Sequence, residues 1–147
     1  MPFEFGLCEP EDLERCFEVV SLAFGHDHPY IDALFPAHDT PQGRADGARW
    51  LGSALRDPSG TGRAARFCKA VDTDTGLIVG FAKWDIYDGF APDVGPGSLK
   101  GDQWRDKEAK EWADYIWWEF TRRRWAALKE SGGHLVSLDI MSVDLAY

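Results

Sequence analysis

Two runs of β-type residues, 65–71 and 77–87, are separated only by Asp72-Thr73-Asp74-Thr75-Gly76. A short polar loop ending in glycine between such runs predicts a β-hairpin. That pairing commits the chain to an antiparallel sheet. Along the second strand, Ile78, Gly80, Ala82, Trp84 and Ile86 fall on one face, and Val79, Phe81, Lys83, Asp85 and Tyr87 on the other.

The other elements arrange themselves around this hairpin. Residues 3–8 read as a short strand that Glu9-Pro10 stops. Leu13, Phe17, Val20 and Phe24 then repeat at helical spacing, with Glu11 and Asp12 at the positive end of the helix and Gly25 closing it. Residues 26–39 read as a loop with one helical turn. Thr40-Pro41 is a cap and first-turn pair for a second helix bearing Ala48, Leu51 and Leu55 on one side, which Asp57-Pro58-Ser59-Gly60 breaks. Residues 88–105, rich in glycine and proline, read as a loop. A long helix is predicted over 106–130, with Trp112, Ile116 and Phe120 stacked at four-residue spacing and Trp118 and Trp125 on a second stripe. Arg122, Arg123, Arg124 and Lys129 suit its C-terminal end as a solvated run, and Ser131-Gly132-Gly133 stops it. Residues 134–143 form a last strand, apolar enough for the inside of a sheet. The expected fold class is α+β: one mainly antiparallel sheet of about four strands, flanking helices, and a long Trp-rich helix inserted before the last strand.

The chain has 147 residues, the size of one domain. Its 16 basic and 25 acidic residues leave a net charge of -9, which repels nucleic acid phosphates and anionic lipid. A small molecule or a protein is the expected partner. No run reaches the roughly 18 apolar residues of a membrane-spanning helix. The first residues place acids where a secretory signal needs basic and then apolar residues. A soluble, cytoplasmic protein is therefore expected. Cys8, Cys16 and Cys68 are isolated in sequence and odd in number, so they read as buried thiols in a reducing compartment.

The element order, the acid-started first helix, the hairpin VDTDTGLIVGFAKW and the closing segment HLVSLDIMSVDLAY together resemble the N-terminal half of the GNAT acetyltransferase family, most of all its small fungal members. Met141, Val143, Leu145 and Tyr147 would take the positions of the family's L-x-V-x-P-x-Y strand pattern, with Leu145 where that pattern has proline. The resemblance implies acetyl transfer from acetyl-CoA to an amine, with the backbone at Val143 holding the acyl group. It also implies that the chain stops one residue before the family's phosphate-binding loop. Acetyl-CoA is then expected only if a missing half completes the fold, and the chain as given holds no cofactor. Gly95-Pro96-Gly97 does not replace the loop, because Pro96 has no N–H to donate. The strand 134–143 would lie at an apolar edge, which pairs with a second copy or with a completing chain. Three activities stay open: acyl transfer, a cofactor-independent reaction of an apolar small molecule in a repurposed pocket, and a non-catalytic dimeric binding module.

Within the resemblance, Asp139, which shares a strand face with Met141 and Val143, is the first candidate for a catalytic base. The alternative is that it hydrogen-bonds loop amides or forms an ion pair with an arginine of the long helix. His134 is a weaker candidate, more often a surface histidine. Asp85 and Tyr87 join Lys83 either as a polar patch inside an apolar pocket or as a solvated face. Substrate contacts are expected from Tyr30, Phe35, Lys83, Trp84, Trp117, Trp118 and Met141. His26, Asp27 and His28, with His38 and Asp39, suggest a metal site, but the segment is a loop with proline and no cysteine or glutamate cluster supports it. A structural or capping role is expected there, and no metal.

Overall fold

The computed structural model describes residues 2–55, 62–90 and 97–147. The strands are β1 (Phe3–Leu7), β2 (Arg63–Asp72), β3 (Ile78–Tyr87) and β4 (Leu135–Val143). The helices are α1 (Leu13–Phe24), α2 (Pro29–Leu34), α3 (Pro41–Leu55) and α4 (Lys107–Glu130). The strands form one antiparallel sheet in the order β1-β2-β3-β4, so the α+β expectation holds. The predicted breaker Asp57-Pro58-Ser59-Gly60, and Gly95 and Pro96, lie outside the described residues.

The hairpin is built around Asp72, which is buried. Its Oδ1 accepts from the Asp74 amide at 2.9 Å and its Oδ2 from the Thr75 hydroxyl at 2.8 Å. The Tyr147 hydroxyl donates to the same Oδ2 at 3.0 Å, which ties the C-terminal residue to the turn. Gly76 closes the turn at φ +73, a backbone state that favours glycine.

One face of the sheet carries the core. Leu13, Cys16, Phe17, Val19 and Val20 of α1 are buried, and α3 crosses α1. The crossing is close because Gly47 has no side chain: a Cβ there would lie 2.1 Å from the Phe17 ring. Cys8 and Cys16, apart in sequence, are both buried with their sulfurs 3.7 Å apart. Arg15 locks α1 to the sheet, donating to the Ile78 carbonyl at 3.0 Å and to Asp144 at 2.6 Å. The other face is apolar and open: Phe5, Leu7, Val136, Met141, Val143 and Leu145 are all exposed. Among the described residues, β4 pairs only with β3 and forms an edge of the sheet.

Helix α4 departs from its expected packing. Ala113, Ile116, Thr121 and Leu128 are its buried residues, whereas Trp112, Trp118 and Phe120 are exposed. The aromatic stripes therefore do not mark the core-facing side. That side runs through small and mid-sized residues spaced three, five and seven positions apart. Asp106 caps the helix, accepting from the Ala109 amide at 2.8 Å. No described helix is long and apolar enough to cross a membrane.

Candidate functional site

Strand alternation turns Phe81, Lys83, Asp85 and Tyr87 toward the helices, as the sequence pattern predicts, and all four are buried. Ala65, opposite Asp85, and Arg63, opposite Tyr87, continue that face onto β2. On β4 the register breaks. Lys83 pairs with Ile140 and Trp84 with Leu138, so Asp139 is the extra residue of a β-bulge. The bulge corrects the expected face of Asp139: it lies inward with Lys83, while Met141 and Val143 lie on the exposed face. One inserted residue reverses side-chain parity, and simple alternation misses it.

Asp139 accepts from Lys83 Nζ at 2.6 Å and from an Arg124 terminal nitrogen at 2.5 Å. Asp85 accepts from Lys83 Nζ at 3.0 Å and from Arg63 at 3.1 Å, with Arg124 at 3.3 Å. Lys83 also stands 5.5 Å from the ring centre of Trp50. The ion-pair reading of Asp139 with an arginine of the long helix is thus realised. Arg124 itself is a correction, because only 14% of its side chain is exposed and it does not belong to a solvated run with Arg122 and Arg123. It falls on the α4 stripe that also carries Ala113, Thr121 and Leu128.

Burial disfavours the Asp139 carboxylate, but the charges of Lys83 and Arg124 outweigh it and hold its pKa below the usual carboxylate range. Burial, then the negative charge of Asp85, push the Tyr87 phenol up. Burial, then Asp139, do the same to Tyr30.

Arg63, Lys83, Tyr87, Arg124 and Asp139 line a cavity of about 590 Å³ between α3, α4 and the sheet. Trp50, Trp117 and Trp125 supply aromatic wall, and the exposed Lys100 adds a further cation. Three basic and two acidic side chains meet in the network, leaving one formal positive charge in excess before Lys100 is counted. The side chains of Tyr87 and Trp125 line this cavity, and among the described residues their buried O–H and indole N–H find no acceptor. The charges of Arg63 and then Arg124 oppose the rise of the phenol, and Arg124 also donates toward its oxygen.

The sequence candidates separate accordingly. Asp139, Asp85, Tyr87 and Lys83 come together, and Trp117 joins them in the cavity wall. Tyr30 and Met141 line a smaller neighbouring cavity of about 260 Å³, with the Arg124–Asp139 pair bordering both. Phe35 is core, edge-on to Phe17 at 4.9 Å. Trp84 lies on the opposite sheet face, and Trp118 is exposed on α4. His134 is on the surface, 2.9 Å from Asp88. Arg63 and Arg124 were not singled out by sequence reasoning. Their signals are strand phase for Arg63, two residues before Ala65, and helical spacing for Arg124.

Acetyl-CoA needs a cradle of free backbone N–H groups for its pyrophosphate, best supplied at a helix N-terminus. Among the described residues, α1 is preceded by Pro10, Glu11 and Asp12, α4 is capped by Asp106, and Thr40 takes the Gly43 amide in α3. A Cβ at Gly43 would overlap the Ala37 carbonyl, so that end is already filled by protein. Among the described residues, the starts of α1, α3 and α4 therefore offer no such cradle. In comparisons with known proteins, no family model matches the chain, and no curated protein matches it.

Proposed function

We propose that this chain binds a small organic anion with an aromatic or other apolar body in the cavity between α3, α4 and the sheet. This is the cofactor-independent branch of the sequence reading, on a scaffold whose element order resembles GNAT proteins. The observation that carries it is the pair of buried donors, Tyr87 Oη and Trp125 Nε1, left without acceptors in a cavity where basic side chains outnumber acidic ones. A buried donor without a partner loses its hydration and gains nothing in return. A carboxylate accepts from both and is favoured by the surplus positive charge, whereas an amine meets neither condition. Trp50 and Trp117 offer the apolar body a wall, and the volume is that of an ordinary small-molecule site.

The test is tryptophan fluorescence and calorimetry with phenylacetate, 3-phenylpropionate and cyclohexanecarboxylate, against their neutral amides and phenethylamine. The carboxylates are expected to quench saturably and to bind at least about tenfold tighter than the amides, a difference of roughly 1.4 kcal/mol. Tyr87→Phe is expected to weaken the carboxylates while leaving the melting temperature unchanged or raised. Equal binding of the amine, or no carboxylate binding up to millimolar concentration, overturns the proposal.

A further inference from the structure

The connection from α1 to α3 holds a second cluster, separate from the cavity. His26 and His38 each lie six positions from Asp32, one on either side. Gly25 ends α1 and releases His26, α2 presents Asp32, and the turn after Phe35 brings His38 back. One ligand-type atom from each lies within 4.8 Å of the other two. The sequence grouped His26, Asp27 and His28 with His38 and Asp39. The fold keeps His26 and His38 together and brings in Asp32 from α2.

Hydrogen placement at His38 follows from its neighbour. The Ser21 hydroxyl donates its one proton to the His38 carbonyl at 2.9 Å. Its oxygen, 2.8 Å from His38 Nδ1, must therefore accept there, so Nδ1 carries hydrogen. In the neutral ring, Nε2 is then a bare lone pair, and it faces Asp32 Oδ1 at 3.3 Å. His26 Nδ1 faces the same oxygen at 2.6 Å, and its Nε2 lies 3.2 Å from Asp39 Oδ2. Two imidazoles thus converge on one carboxylate oxygen, and each has its other nitrogen held by a separate oxygen. This is how metal-ligating histidines are oriented: one nitrogen to the ion, the other to a hydroxyl, carbonyl or carboxylate that fixes the ring.

We propose that His26 Nδ1, Asp32 Oδ1 and His38 Nε2 form a binding site for a divalent transition ion of the zinc type. A tetrahedral ion with bonds of about 2.0–2.1 Å holds its ligands about 3.3 Å apart. The Asp32–His38 separation of 3.3 Å already meets this. The Asp32–His26 separation must open by about 0.7 Å from its 2.6 Å, and His26, with 55% of its side chain exposed, can make that shift. His38 is buried and held by Ser21, so it is the fixed anchor. Asp32 and His26 face solvent, which leaves the fourth position to water, the arrangement of an open site with three protein ligands.

The test is titration of the untagged full chain with Co²⁺, followed by visible absorbance, and with Zn²⁺, followed by calorimetry. One equivalent of Co²⁺ is expected to give the intense d–d bands of a tetrahedral site, and one equivalent of Zn²⁺ to bleach them. His26→Ala, at an exposed position, is expected to retain the fold by circular dichroism and to lose both signals. Asp32→Asn is expected to weaken binding at least about tenfold, and His134→Gln to change nothing. No cobalt band in the parent chain, or a band that survives His26→Ala, overturns the site and leaves the cluster an ion-paired histidine pair.

Discussion

Arg124 on α4 donates to Asp139 Oδ1 at 2.5 Å, and this one pair stands between the two cavities. It joins the long helix to the bulged edge strand, two elements that otherwise touch little. Both side chains are largely out of water, so removing one partner leaves a buried charge with fewer neighbours. That loss costs about 3–5 kcal/mol, whereas replacing a pair by packed apolar groups is often neutral. Asp139→Leu and Arg124→Leu are each expected to lower unfolding free energy by an amount in that range. The double variant Arg124→Leu/Asp139→Leu is expected to recover part of the loss. Urea unfolding of the four proteins in a double-mutant cycle measures the coupling, and additive losses would show that the pair does not act as a unit.

The same carboxylate sets an acid limit. Its folded pKa is depressed because Lys83 and Arg124 outweigh burial. The unfolded chain, with a pKa of about 3.9, binds that proton more readily. The stabilisation is therefore complete above that unfolded value and is lost as pH falls through the lower folded one. Asp12, beside Lys69, and Asp144, which accepts from the Ala146 amide and then from Arg15, are shifted in the same direction and add to the slope. Stability measured by urea midpoint between pH 6 and the acid transition should fall more steeply in the parent than in Asp139→Asn. Parallel curves would count against the assignment.

The hairpin, α1 and α4 were legible because their signals are local: a turn glycine, helical spacing, a proline and a capping aspartate. The inward face of β3 from Phe81 to Tyr87 was legible for the same reason, since period-two alternation survives there, whereas Ile78, placed by simple alternation on the opposite face, joins the core because Val79 is the extra residue of a second bulge. Asp139 was assigned to the wrong face because a bulge shifts parity without leaving a mark in composition. Arg124 was hidden by its neighbours Arg122 and Arg123, whose run suggests a solvated helix end, although its phase places it with Thr121 and Leu128. The exposed Trp112 and Trp118 show the converse: aromatic content says how much apolar surface exists, but not which side of a helix meets the sheet. His26, Asp32 and His38 meet only because of how one short helix turns the chain.

Gly47 tests the α1–α3 crossing. Alanine is the better helix former by about 1 kcal/mol, which taken alone predicts stabilisation. The Phe17 ring stands 2.1 Å from where the new methyl would be, and it is itself 1% exposed with no room to retreat. Overpacking of that kind costs about 1–3 kcal/mol, so the clash outweighs the propensity gain. Gly47→Ala is expected to lower the melting temperature. Adding Phe17→Leu to it should cost less than Phe17→Leu costs the parent, because the smaller side chain relieves the clash. A more stable Gly47→Ala variant would mean that the helices separate at little cost.

The three thiols should differ in reactivity. Cys16 is fully buried, and the hydrogen bond with Cys8, together with burial, pushes its thiol pKa far up. Cys8 is shifted down by the same hydrogen bond, which favours its thiolate, but it is buried against α1 and closed to a bulky reagent. Cys68 lies on the open sheet face and is partly accessible. Reactivity follows thiolate fraction and access together, and here access decides. Ellman's reagent is expected to modify one thiol in the native protein and all three after denaturation. Cys68→Ser should abolish the native reaction, and a persisting fast thiol in that variant would show that the β1–α1 junction opens to solvent.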